Sequence, residues 1–197
     1  MKKFYLLLLL IAAFLGGLLS QESFARKKSL LVKAKESVEM LAAKAAPPPA
    51  DGEVCFSPDE NCDLRLIKFV DTAEKSIDMA IYDINLDQLV HTVLVKAKKI
   101  RVRIVVDKRQ SKGSHSLVST LIKAGAEVRH GKQRSIFHNK FTIVDGKMIE
   151  TGSFNYTYNA SQNNQENQIY LANPKIVDRY AKRFDEFWKS ATKASVE

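Results

Sequence analysis

The chain contains one stretch that strongly predicts a β-hairpin, and this stretch begins at residue 138. Residues 141–144 are rich in β-forming side chains, Asp145-Gly146 is a common two-residue hairpin turn, and residues 148–151 have the pattern of a return strand. A two-stranded hairpin brings the start of its first strand beside the end of its second. The residues around positions 140 and 152 should therefore meet at one end of the hairpin.

The side chains predicted to meet there suit the chemistry of a phosphodiester. His138 and Lys140 are two residues apart, so they lie on the same face of the first strand. Gly152, Ser153 and Asn155 lie just past the end of the second strand. Lysine, hydroxyl and carboxamide groups can all bind phosphoryl oxygens, and a histidine can act as a nucleophile on phosphorus or as a general acid or base. No cluster of Asp, Glu or Cys in the neighbouring sequence predicts a metal site, and we expect no cofactor.

The spacing of these residues is more specific than the residues themselves. Taken alone, His138 has a simpler explanation as an ordinary strand residue beside a turn. The pattern H-x-K-x4-D-x6-G-S-x-N specifies six residues, and at roughly 5% average usage each it occurs by chance about once in 10^8 starting positions. It resembles the HKD motif of the phospholipase D superfamily, with every position filled. The resemblance extends from about Val54 to about Trp188 and includes residues 56–59, 76–82 and 102–107 and the pair Glu166-Asn167.

A single motif in a short chain with an export signal, described below, most resembles the small secreted bacterial endonucleases of this superfamily. The resemblance implies a layered α-β-α sandwich with a mixed β-sheet. It also implies a hydrolysis without metal, in which His138 attacks phosphorus to form a covalent phosphohistidine, a second histidine protonates the leaving oxygen, and water releases the product. Lys140, Asn155 and Ser153 would hold the phosphoryl oxygens and stabilise the developing charge. Because the chain has one motif and the mechanism needs two histidines, we expect a homodimer with its active site on the two-fold axis.

Roles are also predicted for Glu166 and for two residues of the motif itself, Asp145 and Gly152. In similar enzymes a glutamate at the place of Glu166 orients the catalytic histidine, and a carboxylate bonded to the second ring nitrogen of His138 would fix its tautomer and support its positive form. A surface glutamate is the alternative. Asp145 would repel a phosphate and lies in the turn, so we expect it to be structural, like Gly152.

The N-terminal residues predict export. Residues 1–25 have the pattern of a signal peptide, with a basic start, an apolar run over residues 4–19 and a small-x-small cleavage site at residues 23–25; a retained anchor is the alternative. We therefore expect a periplasmic or secreted protein. Residues 26–52 form a basic helical extension and a Pro-rich linker, and the catalytic domain covers residues 53–197. The extension, residues 26–46, would contact DNA or an anionic membrane, or would be a solvated helix.

Cys55 and Cys62 are the only two cysteines of the chain. In an exported protein an even, close pair predicts a disulfide. A zinc site would require further ligands, and the nearest histidine is His91.

Helical and strand patterns alternate through the rest of the chain. Helices are predicted over residues 63–75, 85–99, 114–124 and 174–190, and further strands over residues 76–84, 101–107, 127–130 and 168–171. Such alternation is typical of helices packed on a mixed sheet, which agrees with the fold that the resemblance implies.

The positive charge of the chain favours a polyanionic partner. The formal net charge is +9 and the sequence pI about 9.5, which indicates nucleic acid or an anionic membrane surface without choosing between them. Two basic groups would contact a phosphate backbone, or would simply be solvated surface: Lys96, Lys98, Lys99, Arg101 and Arg103, and then Lys108, Arg109 and Lys112. No motif surrounds the other histidines, so we expect structural or surface roles for His91, His115 and His130.

These observations leave three functions open. The first is a nuclease acting on DNA or RNA, with low sequence specificity because the motif contacts phosphate and not bases. The second is a lipid phosphodiesterase, a phospholipase D or cardiolipin hydrolase, using the same motif. The third is a non-catalytic DNA-binding module, which the complete motif argues against.

Overall fold

The computed structural model describes residues 27–31, 34, 37–38, 47–132 and 136–195. The chain divides into two units, residues 1–42 and 43–197. In the first unit the described residues are helical, and Leu30, Leu31 and Val38 are exposed. The predicted signal peptide lies outside the described residues. No helix among the residues described is both long enough and apolar enough to cross a membrane.

The second unit is built on one open β-sheet. In its described residues the sheet has eight strands: β1 Val54–Ser57, β2 Ser76–Ile81, β3 Arg101–Val106, β4 Glu127–His130, β5 Lys140–Val144, β6 Met148–Gly152, β7 Glu166–Leu171 and β8 Thr192–Lys193. Their order across the sheet is β1-β7-β6-β5-β2-β3-β4-β8. Strands β2, β3 and β4 run parallel, and the other adjacent pairs are antiparallel. The predicted α/β fold with a mixed sheet is confirmed.

Helices pack on both faces of this sheet. They are α1 Cys62–Asp71, α2 Asp87–Ala97, α3 Val118–Lys123, α4 Tyr158–Gln162 and α5 Pro174–Ser190, with a 3-10 turn at Gln110–Lys112. Helices α1, α2 and α3 share one apolar cluster with the sheet, and α5 shares the other. Successive side chains of β2 point to opposite faces of the sheet, so Met79 and Ile81 enter the first cluster and Ala80 enters the second.

One end of the sheet gathers the polar residues of the predicted site, and we call it the upper end. The parallel strands β2, β3 and β4 finish there. Strand β5 begins there, because it is antiparallel to β2 and pairs Lys140 with Ile81. Strand β6 ends and β7 begins at the same end, where Gly152 pairs with Gln168. The loops at this end therefore converge on the hairpin of the motif.

The predicted elements differ from the structure mainly at their ends. The strand predicted over residues 76–84 finishes at Ile81, and Ile84 instead forms an isolated bridge with Tyr156. The helix predicted over residues 114–124 starts only at Val118. Strands β1 and β8 and helix α4, which have two to five residues each, were not predicted.

The predicted disulfide is present. Cys55 of β1 and Cys62, the first residue of α1, are bonded, with their Cα atoms 5.7 Å apart. Both residues are buried. The bridge therefore holds the outermost strand of the sheet against a helix of the main core.

Asp145 joins the hairpin turn to the segment that precedes β2. Its φ is +55°, and its carboxylate accepts hydrogen bonds from the backbone N–H groups of Glu74, Lys75 and Ser76 at 2.7–3.2 Å. Burial raises the pKa of Asp145. The donors of Ser76, Glu74 and Lys75, with the charge of Lys147, outweigh burial and bring this pKa below its ordinary value of 3.8.

Replacing Asp145 with asparagine should lower the free energy of unfolding by about 2 kcal/mol at neutral pH, because three backbone donors lose a charged acceptor. Since the pKa is lowered in the folded state, this stabilisation is present above pH 3.8 and is lost as the pH falls further. Urea unfolding at pH 7 and pH 3 measures both effects, with the exposed Asp59→Asn as the control. A difference as large at pH 3 as at pH 7 would contradict the role of the carboxylate.

Candidate active site

His138 lies exposed just before β5, at the upper end of the sheet. Its ring packs edge-on against the ring of Tyr82, with 4.6 Å between the centroids. The hydroxyl of Tyr82 accepts a hydrogen bond of 2.7 Å from Nε2 of Gln110. The imidazole is therefore supported on one side by a tyrosine that is itself fixed, while the residue stays open to solvent.

The electrostatics favour the neutral, nucleophilic form of His138. Partial desolvation of the ring, which packs on Tyr82, is the larger cause that lowers the pKa of His138, and the positive charge of Lys140 lowers it further. The negative charge of Asp107 acts in the opposite direction but does not outweigh them. At neutral pH the imidazole is mostly unprotonated, which is the form that attacks phosphorus.

Replacing Lys140 with methionine should raise the pKa of His138, because it removes one of the two causes that lower it. Burial remains, so the titration midpoint should stay below the ordinary 6.5. Proton NMR of the His138 ring across the pH range measures the midpoint. The exposed turn residue Lys147 supplies the control Lys147→Met, for which no change is expected. An unchanged midpoint in Lys140→Met would show that the ammonium does not act on the imidazole.

Lys140 is buried at the first position of β5 and points toward His138. Its Nζ lies 5.2 Å from the centroid of the Tyr82 ring and donates to the carbonyl oxygen of His138 at 3.4 Å. Burial lowers the pKa of Lys140, and the charge of Glu166 opposes this. The ammonium and the imidazole thus share one aromatic support and one small region of the upper end.

Ser153 lies beside Glu166 and Asn167 of β7. Its Oγ donates to Oε2 of Glu166 at 2.5 Å and accepts from the backbone N–H of Asn167 at 3.1 Å. The other carboxylate oxygen of Glu166 accepts from Nδ2 of Asn164 at 2.9 Å. In this arrangement the hydroxyl hydrogen of Ser153 is already used, so it must turn before it can bind a phosphoryl oxygen.

The expected contact between Glu166 and His138 is not formed within the described chain. Strand β6 lies between β7, which carries Glu166, and β5, which follows His138. The carboxylate therefore meets Ser153, which directly follows β6, and not His138. The carboxylate whose charge acts on the pKa of His138 is Asp107.

Asp107 is a buried residue of the site that the sequence reasoning missed. It follows β3 directly, and its carboxylate accepts from the backbone N–H groups of Arg109, Gln110 and Phe137 at 2.8–3.0 Å. It thus ties the loop after β3 to the residue before His138. An aspartate directly after a β-branched strand was the available signal, because ligand-facing loops in α/β sheets follow strand ends.

Asn155 is carried on the loop after β6. The loop is anchored by Tyr156, whose N–H donates to the carbonyl of Asp83 and whose carbonyl accepts from Asn85 and Leu86, at 2.9–3.1 Å. Among the described residues, Oδ1 of Asn155 is buried and has no hydrogen-bond partner. A buried polar group without a partner at this end of the sheet is consistent with a site that binds a polar ligand.

A buried polar network lies beneath the motif and was also missed. Thr142 of β5 and Glu150 of β6 are opposite each other, and the hydroxyl of Tyr156 lies between them. That hydroxyl is 2.7 Å from Oγ1 of Thr142 and donates to Oε2 of Glu150 at 2.5 Å. The network connects both strands of the hairpin to the loop that carries Asn155.

Gly152 is required by the close approach of β7 to the end of β6. An added Cβ would lie 3.0 Å from Oδ1 of Asn167 and would overlap the carbonyl oxygen of the same residue. The N–H of Ser153 donates to that carbonyl at 3.1 Å. Any side chain at position 152 would therefore displace Ser153.

Replacing Gly152 with alanine should lower the free energy of unfolding by about 2 kcal/mol, because the backbone of β7 must move to admit the methyl group. The shift of Ser153 should also lower kcat for hydrolysis of bis(4-nitrophenyl) phosphate. Urea unfolding and the chromogenic assay measure the two effects. A variant with the stability and kcat of the wild type would show that β6 and β7 can move apart without a loss of folding free energy.

The first predicted basic group does not belong to the site. Helix α2 runs away from the upper end, so Lys96, Lys98, Lys99, Arg101 and Arg103 lie toward the opposite end of the sheet. Lys96 donates to the carbonyls of Asp71 and Ala73. Arg103 forms ion pairs with Asp78 at 2.7 Å and Asp185 at 3.0 Å. The structure therefore gives Lys96 and Arg103 intramolecular roles in place of the phosphate contacts considered above.

The second predicted basic group, Lys108, Arg109 and Lys112, does lie at the upper end, in the loop that follows β3. All three residues are exposed. The remaining histidines have other neighbours: His115 lies 3.2 Å from Oδ2 of Asp83, and His130 lies 3.0 Å from Oγ of Ser111. In the part of the chain that is described, no three His, Cys, Asp or Glu side chains are grouped so that they could hold a metal ion.

Known proteins share this fold and sequence pattern. The family described as "Cardiolipin synthase, PLD-like domain" matches residues 66–188. The mitochondrial cardiolipin hydrolase of Mus musculus is 32% identical over 76% of this chain and 69% of its own length. The phospholipase D of Rickettsia conorii is 33% identical over 83% of this chain and 78% of its own length.

A solved structure shares the fold. Nuc of Salmonella typhimurium, a phospholipase D family member, superimposes with a TM-score of 0.69 and 27% identity, covering 73% of this chain and 97% of that protein. The family match includes all of the motif residues from His138 to Asn155 and most of the sheet. The chain is therefore a phosphodiesterase of the phospholipase D superfamily.

Proposed function

We propose that the protein hydrolyses nucleic acid, DNA or RNA, as an endonuclease of low sequence specificity. The observation that carries this proposal is the position of the exposed basic residues Lys108, Arg109, Lys112 and Lys132. They follow β3 and β4 at the same end of the sheet as His138. A phosphodiester backbone that reaches the imidazole would pass over these charges.

The proposed reaction has two displacements at phosphorus. A ring nitrogen of His138 forms a bond to phosphorus as the bond to the leaving oxygen breaks, and a second, protonated imidazole gives its proton to that oxygen. The second imidazole then takes a proton from water, whose oxygen displaces His138. Lys140, Asn155 and Ser153 bind the other phosphoryl oxygens and stabilise the charge that develops on them.

The second imidazole is proposed to come from another copy of the chain. The described contacts of His115 and His130 are with Asp83 and Ser111, and His91 is exposed on α2. A two-fold homodimer would place two His138 rings in one site. It would also offer Glu166 an imidazole that it does not reach within its own chain. Sedimentation tests the proposal, because a fully active monomer would overturn it.

Export is proposed to bring the enzyme to the periplasm or beyond the cell. Two features support this: the signal-like residues 1–25 and the disulfide between Cys55 and Cys62, a bond that persists in oxidising compartments. The basic residues 26–46 would then contact anionic membrane or nucleic acid.

A lipid phosphodiesterase is the second candidate, and one observation favours it. Phe56, Ile136 and Tyr158 are 54%, 44% and 65% exposed on segments at the upper end. Exposed apolar side chains near a site can enter a membrane surface, although aromatic ones also stack on bases. A relative named for cardiolipin hydrolysis adds weight to this candidate.

One assay separates the two functions. The purified protein is incubated in excess EDTA with plasmid DNA, structured RNA and vesicles that contain cardiolipin. We expect cleavage of nucleic acid and little release from vesicles. Release of phosphatidic acid without nicking of DNA or RNA would overturn the nuclease proposal in favour of the lipid enzyme.

A further inference from the structure

A polar cavity lies between the loop that follows β3, helix α3 and the end of β4. It has a volume of about 200 Å³, and its lining comprises Ser111, Lys112, Gly113, Ser116, Val118, Ser119, Ile122, His130 and Ser195. Because β3 and β4 are parallel to β2, the residues that follow them lie at the upper end together with His138. The part of the cavity lined by Ser111, Lys112 and His130 therefore lies at the same end of the sheet as the active site.

The side chains of this cavity are suited to an anion. Four of the nine lining residues are serines, one is a lysine and one is a histidine, and none carries a carboxylate. Hydroxyl, ammonium and imidazole groups donate hydrogen bonds to phosphate oxygens, whereas a cation would require acidic ligands. The composition thus favours phosphate over a metal ion.

Hydrogen bonds inside the cavity orient these donors. Ser111 donates its hydroxyl hydrogen to the carbonyl oxygen of Lys108 at 2.9 Å. Its contact with Nε2 of His130, at 3.0 Å, must then be donated by the histidine. Ser116 uses its oxygen to accept from the N–H of Val118 at 3.3 Å, which leaves its hydrogen to be donated. These bonds use the hydroxyl hydrogen of Ser111 and the Nε2–H of His130 and hold the imidazole in one orientation, so the hydroxyl of Ser116 is the donor that they leave for an anion.

A short chain of contacts links the cavity to the nucleophile. The ring of His138 packs on Tyr82, the hydroxyl of Tyr82 accepts from Gln110, and Gln110 is followed by Ser111, the first residue of the cavity lining. The loop that forms the cavity wall is therefore also the loop that supports the catalytic imidazole.

We infer that this cavity is a second phosphate-binding site, which holds a neighbouring phosphate of the same substrate while His138 attacks the scissile one. The inference rests on the proposed nuclease function and specifies how a longer substrate is held. Binding at a second phosphate raises affinity for oligonucleotides without adding base recognition. Substrates with a single phosphate reach only the active site.

The test compares oligonucleotides of two to eight nucleotides with bis(4-nitrophenyl) phosphate. For the wild type, kcat/KM should rise with length until the second site is filled. In Ser119→Glu, the ratio of kcat/KM for the octanucleotide to that for the chromogenic diester should fall about tenfold, because a carboxylate would repel phosphate. For Ser119→Glu the control is Thr120→Glu, an equal change of charge at an exposed residue of α3 outside the cavity lining.

The outcomes separate this inference from the proposed function. If wild type and Ser119→Glu gain equally with oligonucleotide length, the second site is overturned while the nuclease stands. If the wild type cleaves the chromogenic diester and cardiolipin but no oligonucleotide, the nuclease proposal fails. In that case the wild type is compared on cardiolipin, which has two phosphates, and phosphatidylcholine, which has one. Loss of a preference for cardiolipin in Ser119→Glu would support the second site. A preference that Ser119→Glu leaves unchanged would overturn it.

Discussion

Replacing His138 with glutamine is expected to reduce phosphodiester hydrolysis by about 10^4-fold or more, both for nucleic acid and for bis(4-nitrophenyl) phosphate. Glutamine has a similar length but cannot form the bond to phosphorus, so the covalent route is closed. In the proposed dimer the same change also removes the general acid, which adds a further loss. The exposed position of His138 means that the fold should tolerate the substitution.

The measurement is kcat in excess EDTA, together with the mass of the intact protein quenched at alkaline pH during turnover. The wild type should include a fraction of chain that carries the substrate's phosphoryl group, still esterified to its remaining alcohol, and His138→Gln should include none. His91→Gln is the matched control, since His91 is exposed on α2 and belongs to no proposed site. Equal activity of wild type and His138→Gln would move the nucleophile elsewhere.

The hairpin and its motif could be predicted because they depend on local sequence. The Asp145-Gly146 turn and the polar and apolar side chains of β5 are encoded within about ten residues. They place His138 and Lys140 at one end of the hairpin. The family fold then followed from the resemblance. The contacts of Glu166 could not be predicted in this way, because they depend on the order of the strands, which puts β6 between Glu166 and His138.

The positions of the basic residues depend on the direction of the strands, which the predictions from the sequence did not take into account. A helix that follows β2 must start at the upper end and finish at the lower one, so Lys96 and Lys99 are carried away from the motif. Residues that directly follow a parallel strand, such as Lys108 and Asp107, stay at the upper end. Strand direction alone would have separated the two groups. The network of Thr142, Glu150 and Tyr156 could not be predicted from strand direction, because it depends on the register between β5 and β6.

The network of Thr142, Glu150 and Tyr156 should make the free energy of unfolding depend strongly on pH. Glu150 is fully buried, and its described polar contact is the hydroxyl of Tyr156; its Oε1 has no partner among the described residues. Burial raises the pKa of Glu150 to about 8, and the hydrogen bond from Tyr156 only partly opposes this. At neutral pH the carboxyl is therefore mostly protonated, which avoids an unpaired charge beneath the motif.

The sign of the pH dependence follows from this shift. The folded state holds the proton more tightly than the unfolded state, whose pKa is 4.5, so the stabilisation is complete below pH 4.5 and is lost as the pH rises through 8. The difference between the two pKa values corresponds to on the order of 5 kcal/mol, and relaxation of the core will reduce it. Glu150→Gln keeps the shape and a hydrogen-bonding group for Tyr156 but cannot ionise.

We therefore expect Glu150→Gln to become more stable relative to the wild type, by about 3 kcal/mol, between pH 5 and pH 9. Urea unfolding at a series of pH values measures this, with Glu127→Gln as the control, since Glu127 is a strand residue like Glu150 but is exposed. Parallel stability curves for wild type and Glu150→Gln would mean that Glu150 is ionised in the folded protein.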